Sequence, residues 1–318
     1  MTDSQHDCPR VLAVLGPTAA GKSALGLALA ERLGGEIVNC DSTAVYCGFD
    51  IGTDKVPVSE QRGIPHHLID IVAAPFEYSA ADYARDATTV IRQILARGRV
   101  PILVGGTGLY YRALTRGLFP GPGKDAALRV RLEAIAARRG IEHLWRIVRR
   151  VDPESAFRIQ PRDQLRLVRA LEVYFLTGRP LTAHFAETRA PLDFCTVTPI
   201  GLRLPALLTS ERVSRRVDQQ FARGLMDEVR GLLALGVPET ARPFGGLVYR
   251  QALELLHGVR DQAATATLIV QANRQYARRQ LIWFRKEPNL RWFDGPGESA
   301  DVIARVTETL AGPNESRF

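Results

Sequence analysis

Val11-Leu-Ala-Val-Leu15, then Gly16-Pro17-Thr18-Ala19-Ala20-Gly21-Lys22-Ser23, then Ala24-Leu-Gly-Leu-Ala-Leu-Ala-Glu-Arg-Leu33 follow one another without a break. The middle eight residues fit the phosphate-loop spacing, in which four residues separate a glycine from Gly-Lys-Ser/Thr. The apolar, β-branched run before them reads as a buried strand. The run after them consists of good helix formers and stops at Gly34-Gly35. Strand, glycine loop and helix together point backbone N–H groups and a helix N-terminus at an anion. In that geometry Lys22 reaches the outer phosphates and Ser23 sits on Mg²⁺. By average residue frequencies the pattern arises by chance in roughly one chain in a hundred of this length, and the flanking elements lower that further. The motif specifies a polyphosphate. It does not specify ATP.

Outward from the loop, the texture alternates. A strand over 36–40 precedes a loop to about residue 78. A helix over 80–97 is capped by Ser79 and stopped by Gly98. A strand over 100–104 runs into Gly105-Gly106-Thr107-Gly108. This pattern predicts an α/β fold, a phosphate-loop NTPase-like, doubly wound parallel sheet flanked by helices. Phe119-Pro-Gly-Pro-Gly-Lys-Asp125 then breaks the chain. Residues 126 to about 182 read as helical and arginine-rich, an inserted all-helical lobe. A strand over 194–204 returns to the sheet, and 209–285 is helical with loops near 236–246 and 258–262. The expected division is 1–120 phosphate-loop core, 121–193 helical insertion, and 194–318 return to the core with C-terminal helices. The final stretch, Gly312 to Phe318, is expected to fray.

Composition narrows the class. At 318 residues, with 46% hydrophobic and 24% charged residues, the chain suits an ordinary globular protein with one large core and a smaller lobe. No apolar run approaches the roughly 18–20 residues of a membrane span, and the start, MTDSQHDCPR, reads as no signal peptide. Cys8, Cys40, Cys47 and Cys195 lack metal-ligand spacing, so a reducing cytoplasm is expected. His66-His67 has no second ligand cluster and reads as loop or packing histidines. Net charge is +8, but only four of the 42 basic residues are lysines. Such charge fits a nucleic-acid partner, and such arginine dominance fits coding bias equally. Nothing marks a subunit interface, so a monomer is expected.

Ligands of open parallel sheets bind at the carboxyl ends of the strands. Three polar stations fall there: the phosphate loop, Asp41-Ser42 and Thr107. Beside a phosphate loop, Asp41 becomes a candidate general base or metal ligand. The glycines around Thr107 admit a substrate close to the backbone. These residues alone fit a nucleoside or small-molecule kinase.

Longer stretches decide further. To GPTAAGKS the chain adds, in order, Asp41-Ser-Thr-Ala-Val-Tyr46, Asp50-Ile-Gly-Thr-Asp-Lys55, Pro65-His-His-Leu-Ile-Asp-Ile71, Tyr78-Ser-Ala-Ala-Asp-Tyr83 and Leu103-Val-Gly-Gly-Thr-Gly-Leu-Tyr-Tyr111. Val151-Asp-Pro153, Asp163 to Val173, Arg212 to Val229 and Arg274 to Arg285 follow. The ordered set, over about residues 10 to 290, resembles the tRNA dimethylallyltransferases.

That resemblance implies transfer of a dimethylallyl group from dimethylallyl diphosphate to N6 of the adenine immediately 3′ of a tRNA anticodon, without membrane involvement. The loop then holds a departing diphosphate with Mg²⁺, and Arg212 or Arg216 completes the clamp. Asp41 takes the role of general base, and Thr107 contacts the target base. Ser42, Thr43 and Ala44 line the nucleotide's path. Arg129 and the stretch Leu165, Arg166, Leu167, Val168 and Arg169 take roles in gripping tRNA. Between Lys124 and Arg179 the lobe holds 12 arginines and one lysine against seven acids. The chain departs from the family pattern at Arg162, Leu165, Val248, Asn273 and Ile282. A kinase, a prenyltransferase of free adenine nucleotides and a non-catalytic RNA-binding module are the competing readings.

Overall fold

The computed structural model describes residues 8–311; the expectation for residues 312–318 lies outside them. The described residues pack as two units, one of residues 8–115 with 191–311 and one of residues 116–190.

The larger unit is built on six parallel strands in the order β3-β2-β4-β1-β5-β6. They are β1 (Arg10–Leu15), β2 (Gly35–Asn39), β3 (His66–His67), β4 (Val100–Gly105), β5 (Thr196–Arg203) and β6 (Arg291–Asp294). Val11 to Leu15 have no exposed surface, because β1 lies between β4 and β5 and is covered on both faces. Burying each valine or leucine there contributes about 2 kcal/mol. Around the sheet lie α1 (Lys22–Leu33), α2 (Ala80–Ala96) and α3 (Gly108–Arg116). Ser79 and Asp82 form a reciprocal capping box at the start of α2. On one face Leu25, Leu29, Val302 and Val306 pack on Leu12 and Ile102. On the other, Tyr83, Ile91, Phe49, Phe244 and Phe284 pack on Val11, Ala13 and Leu103.

The smaller unit is all helical: α4 (Ala126–Arg139), α5 (Ile141–Val151), α6 (Pro153–Arg158), α7 (Gln164–Thr177) and α8 (Leu181–Phe185). It has its own core of Leu132, Leu144, Val148, Leu167, Val168 and Leu171. Asp152 starts α6 and ties it to α8. It accepts from Ser155 N (3.0 Å), Ser155 Oγ (2.7 Å), Thr182 N (3.0 Å) and Thr182 Oγ1 (2.8 Å). Burial alone would raise this carboxyl's pKa, but the four donors hold it below the usual range.

After β5, the larger unit adds α9 (Ala206–Ala222), α10 (Leu225–Ala234), α11 (Leu247–Leu256), α12 (Gln262–Phe284) and α13 (Ala300–Leu310). Three features depart from the sequence expectation. The stretch from 41 to 78 is not all loop, because His66-His67 pairs with Ile37 and Val38 as an edge strand. Two residues are too short for a periodic signal. The C-terminal region adds a strand, β6, and a helix, α13, beyond the helices expected to end near 285. β6 covers the β5 edge, where Arg291 to Asp294 register with Ile200 to Arg203, and α13 packs beside β6 and α1.

Candidate active site

The phosphate loop takes the expected form. Gly21 caps α1 with φ 86°, a left-handed conformation that favours glycine. No side chain caps this helix start, so its N–H groups are left for an incoming anion. Thr18, Ala19, Gly21, Lys22 and Ser23 line a cavity of about 860 Å³, a size typical of small-molecule sites. Gly16, Pro17 and Ala20 supply the framework. The Pro17 carbonyl accepts from Lys22 Nζ (2.8 Å), and Ala20 O accepts from Gly297 N (2.9 Å). Desolvation lowers the Lys22 pKa to about 8, partly opposed by the negative field of Asp41. The Ser23 side chain is exposed at the mouth of α1. Its hydroxyl makes no protein hydrogen bond among the described residues, which fits a ligand for Mg²⁺ beside an anion.

Asp41 and its neighbours come from the carboxyl end of β2. One carboxylate oxygen, Oδ1, accepts from Thr43 N (2.9 Å) and Thr43 Oγ1 (2.7 Å). Oδ2 has no protein partner among the described residues. The backbone beneath it is held by Asn39, a buried residue absent from the sequence-based set. Its amide accepts from Asp41 N (3.0 Å) and donates to Asp41 O (3.0 Å) and Leu68 O (2.9 Å). Asp41, Ser42, Thr43 and Ala44 all line the same cavity.

Thr107 follows β4. Its N–H donates to Cys40 O (3.1 Å), and its Oγ1 accepts from Ser42 N (3.0 Å). The third station is therefore tied directly to the second. Gly105, rather than Thr107, lines the cavity.

Arg212 and Arg216 stand one turn apart on α9 and both reach the loop. Arg212 donates to Ala19 O (2.7 Å) and to Glu298 Oε1 (2.5 Å). Arg216 donates to Thr18 Oγ1 (2.7 Å) and pairs with Asp54 (2.9 Å). Sequence reasoning placed one of them at the loop; the structure brings both. Lys55 lines the cavity too, as a pin. Buried, it donates to Tyr46 O (2.7 Å), Asp50 (2.6 Å) and Asp70, fixing the segment that follows Asp41. Arg215, Tyr276, Arg279, Gln280 and Glu298 also line the cavity and were not singled out.

The helical unit treats its candidates differently. Glu172 on α7 has no exposed surface. Arg129 binds it at both oxygens (2.7 and 2.8 Å), and Arg169 adds a third contact (2.6 Å). Burial would raise the Glu172 pKa, but the arginines and the Asp125 N–H pull it down to about 2. Leu167 and Val168 are core residues, 0% and 2% exposed, so their side chains shape α7 from inside. Leu165 and Arg166 are exposed, and Arg166 pairs with Asp163 (2.6 Å).

Of the departures, Val248 and Asn273 line the cavity, whereas Arg162, Leu165 and Ile282 are exposed. His66 faces Ile64 O (2.9 Å), and His67 lies 2.7 Å from Glu36. Among the described residues no helix is long and apolar enough to cross a membrane.

The sequence matches the IPP transferase family over residues 44–287. It is 46% identical to a tRNA dimethylallyltransferase of Geobacter metallireducens over 95% of this chain and 98% of that one. A tRNA dimethylallyltransferase of Koribacter versatilis is 42% identical with the same coverage. The fold is similar to the tRNA isopentenylpyrophosphate transferase of Bacillus halodurans, with TM-score 0.70, 36% identity and coverage of 95% and 96%. It is also similar to a eukaryotic dimethylallyltransferase captured acting on tRNA, with TM-score 0.79, 26% identity and coverage of 96% and 79%. This chain belongs to the IPP transferase family, that of the tRNA dimethylallyltransferases.

Proposed function

We propose that this enzyme transfers a dimethylallyl group from dimethylallyl diphosphate to N6 of the adenine immediately 3′ of a tRNA anticodon, releasing diphosphate. The observation that carries this reading is the shared cavity: an uncapped phosphate loop, two arginines on it, and Asp41 with one unpartnered carboxylate oxygen. Likeness to tRNA dimethylallyltransferases over 95% of the chain sets the kinase reading aside.

The reaction breaks the bond between the allylic carbon and diphosphate oxygen and forms a bond from that carbon to N6. Negative charge grows on the leaving oxygen. We assign its stabilisation to the α1 N–H groups, Lys22, Arg212 and Arg216. Ser23 would hold Mg²⁺, which supplies further charge neutralisation to the diphosphate when bound. Adenine N6 is a poor nucleophile, so orientation and proton removal govern its attack. Asp41 Oδ2 accepts the N6 proton, while Thr43 and Asn39 hold the carboxylate and its backbone still. The base leaves the anticodon stack to reach the cavity, and the turn bearing Thr107 contacts it there. In the helical unit, exposed Arg166 and Leu165 serve tRNA directly, and Arg129 and Arg169 serve it through the shape of α4 and α7.

The testing experiment supplies purified protein with Mg²⁺, dimethylallyl diphosphate and either unmodified tRNA or AMP. Faster prenylation of tRNA supports the reading. Faster prenylation of AMP replaces it with a free-nucleotide prenyltransferase.

A further inference from the structure

The side-chain amide of Gln280 spans the two halves of the cavity. It lies on α12, 5% exposed. Its Oε1 accepts the N–H of Thr18 in the phosphate loop (2.8 Å), and its Nε2 donates to the carbonyl of Gly106 in the turn after β4 (2.9 Å). Thr18 N can only donate and Gly106 O can only accept, so both ends of the amide are committed. The fit is close: a Cβ on Gly106 would lie 2.2 Å from Gln280 Nε2.

Each partner of this bridge leads to a different substrate. Thr18 Oγ1 receives Arg216 (2.7 Å), on the diphosphate side. Gly106 precedes Thr107, whose Oγ1 holds Ser42 N (3.0 Å), beside Asp41. One turn earlier on α12, Tyr276 lines the same cavity. The bridging hydrogen bonds therefore run from donor loop to acceptor turn through one side chain.

We propose that Gln280 is a positioning residue that sets the spacing between the diphosphate loop and the turn bearing Thr107. Both ends of its amide are spent on protein backbone and none on a substrate. It holds the allylic carbon and N6 at attack distance, and a misplacement of about an ångström there costs on the order of 100-fold in rate. This inference rests on the proposed reaction, and the wild-type enzyme tests that reaction separately.

The experiment measures the single-turnover transfer rate with both substrates saturating. Affinities for inorganic diphosphate with Mg²⁺ and for unmodified tRNA are measured apart. Gln280→Met keeps length and volume but loses the amide donor and replaces its carbonyl by a weakly accepting thioether. Its rate is expected to fall about 30-fold or more, with each affinity within about threefold of wild type. Gly106→Ala pushes the flexible end of Gln280 aside and is expected to lose rate similarly, so it decides the matter if Gln280→Met does not fold. The double variant is expected to be no slower than the worse single one, since both break the same bridge. Saturated rates within about threefold of wild type overturn the proposal, as does a loss carried entirely by weakened affinity for either ligand. A wild-type enzyme without transfer overturns the reaction instead.

Discussion

Arg212 and Arg216 stand four residues apart on α9, and both guanidiniums end on the phosphate loop. Arg129 and Arg169 come from α4 and α7, and both end on the buried carboxylate of Glu172. The side chain is the same and the employment differs. In the cavity unit, the arginines reach a loop whose helix start has no side-chain cap, so on the proposed reading their charge adds to a site prepared for an anion. In the helical unit, a single carboxylate inside an apolar helix consumes two of the charges that a count of basic residues credits to the surface. An arginine-rich segment is therefore weaker evidence of RNA contact than its net charge suggests, and the proposed direct role falls to exposed members such as Arg166.

This contrast can be broken from either side. The largest effect is expected at Asp41. Asp41→Ala removes the proton acceptor and should lower turnover about 10²- to 10⁴-fold while diphosphate affinity stays near wild type; equal loss of both, measured by single-turnover rates and calorimetry, would reject the base assignment. Lys22→Met should follow, with roughly 10²- to 10³-fold loss in turnover, the scale of removing one donor to a developing oxyanion. Glu172→Ala should leave transfer chemistry nearly intact but destabilise the helical unit. About 3 kcal/mol is expected, the low end for breaking a buried pair, because Arg129 and Arg169 keep 27% and 28% side-chain exposure. Chemical denaturation followed by circular dichroism measures it, and an unchanged midpoint would mean the cluster is not structural.

The pH dependence of diphosphate binding sharpens the cavity side. Lys22 is lowered to about 8 by desolvation. The ammonium form binds the anion, so affinity should be flat below about pH 8 and fall above it, by up to about tenfold per unit. Subtracting the profile of Lys22→Met removes the ligand's own titration, and a difference profile flat to pH 9.5 would contradict the assignment. The smallest effect is expected at Arg166. Arg166→Ala should weaken tRNA binding about three- to tenfold and leave stability within about 0.5 kcal/mol.

Much of the cavity was legible before the fold was seen. The phosphate loop declares itself because backbone geometry requires glycine at fixed spacing between a strand and a helix. Asp41 declares itself because strand ends converge in a parallel sheet, whereas at the next strand end Gly105 lines the cavity and Thr107 only ties the turn to Ser42. Ser79 marks the start of α2 through its own side chain. Other parts were not legible, for physical reasons. His66-His67 pairs as a strand only because β2 offers an open edge. Gln280 and Asn39 look like ordinary polar residues until their partners from distant segments arrive. A signal existed in both units. Gln280 falls in line with Ile269, Ala277 and Phe284 on the buried stripe of α12. Glu172 interrupts the apolar run of α7. A polar residue on an apolar face demands a partner, and both find one.

On the proposed reading, the phosphate loop holds a leaving group and Asp41 activates a tRNA adenine. The most direct test of this reading is mass spectrometry of nucleosides from an unmodified tRNA pool incubated with the purified protein, Mg²⁺ and dimethylallyl diphosphate. The expected result is N6-dimethylallyladenosine at the position 3′ of the anticodon, with one diphosphate released per group transferred and nearly none from Asp41→Ala. No modified adenosine anywhere in the pool would contradict it.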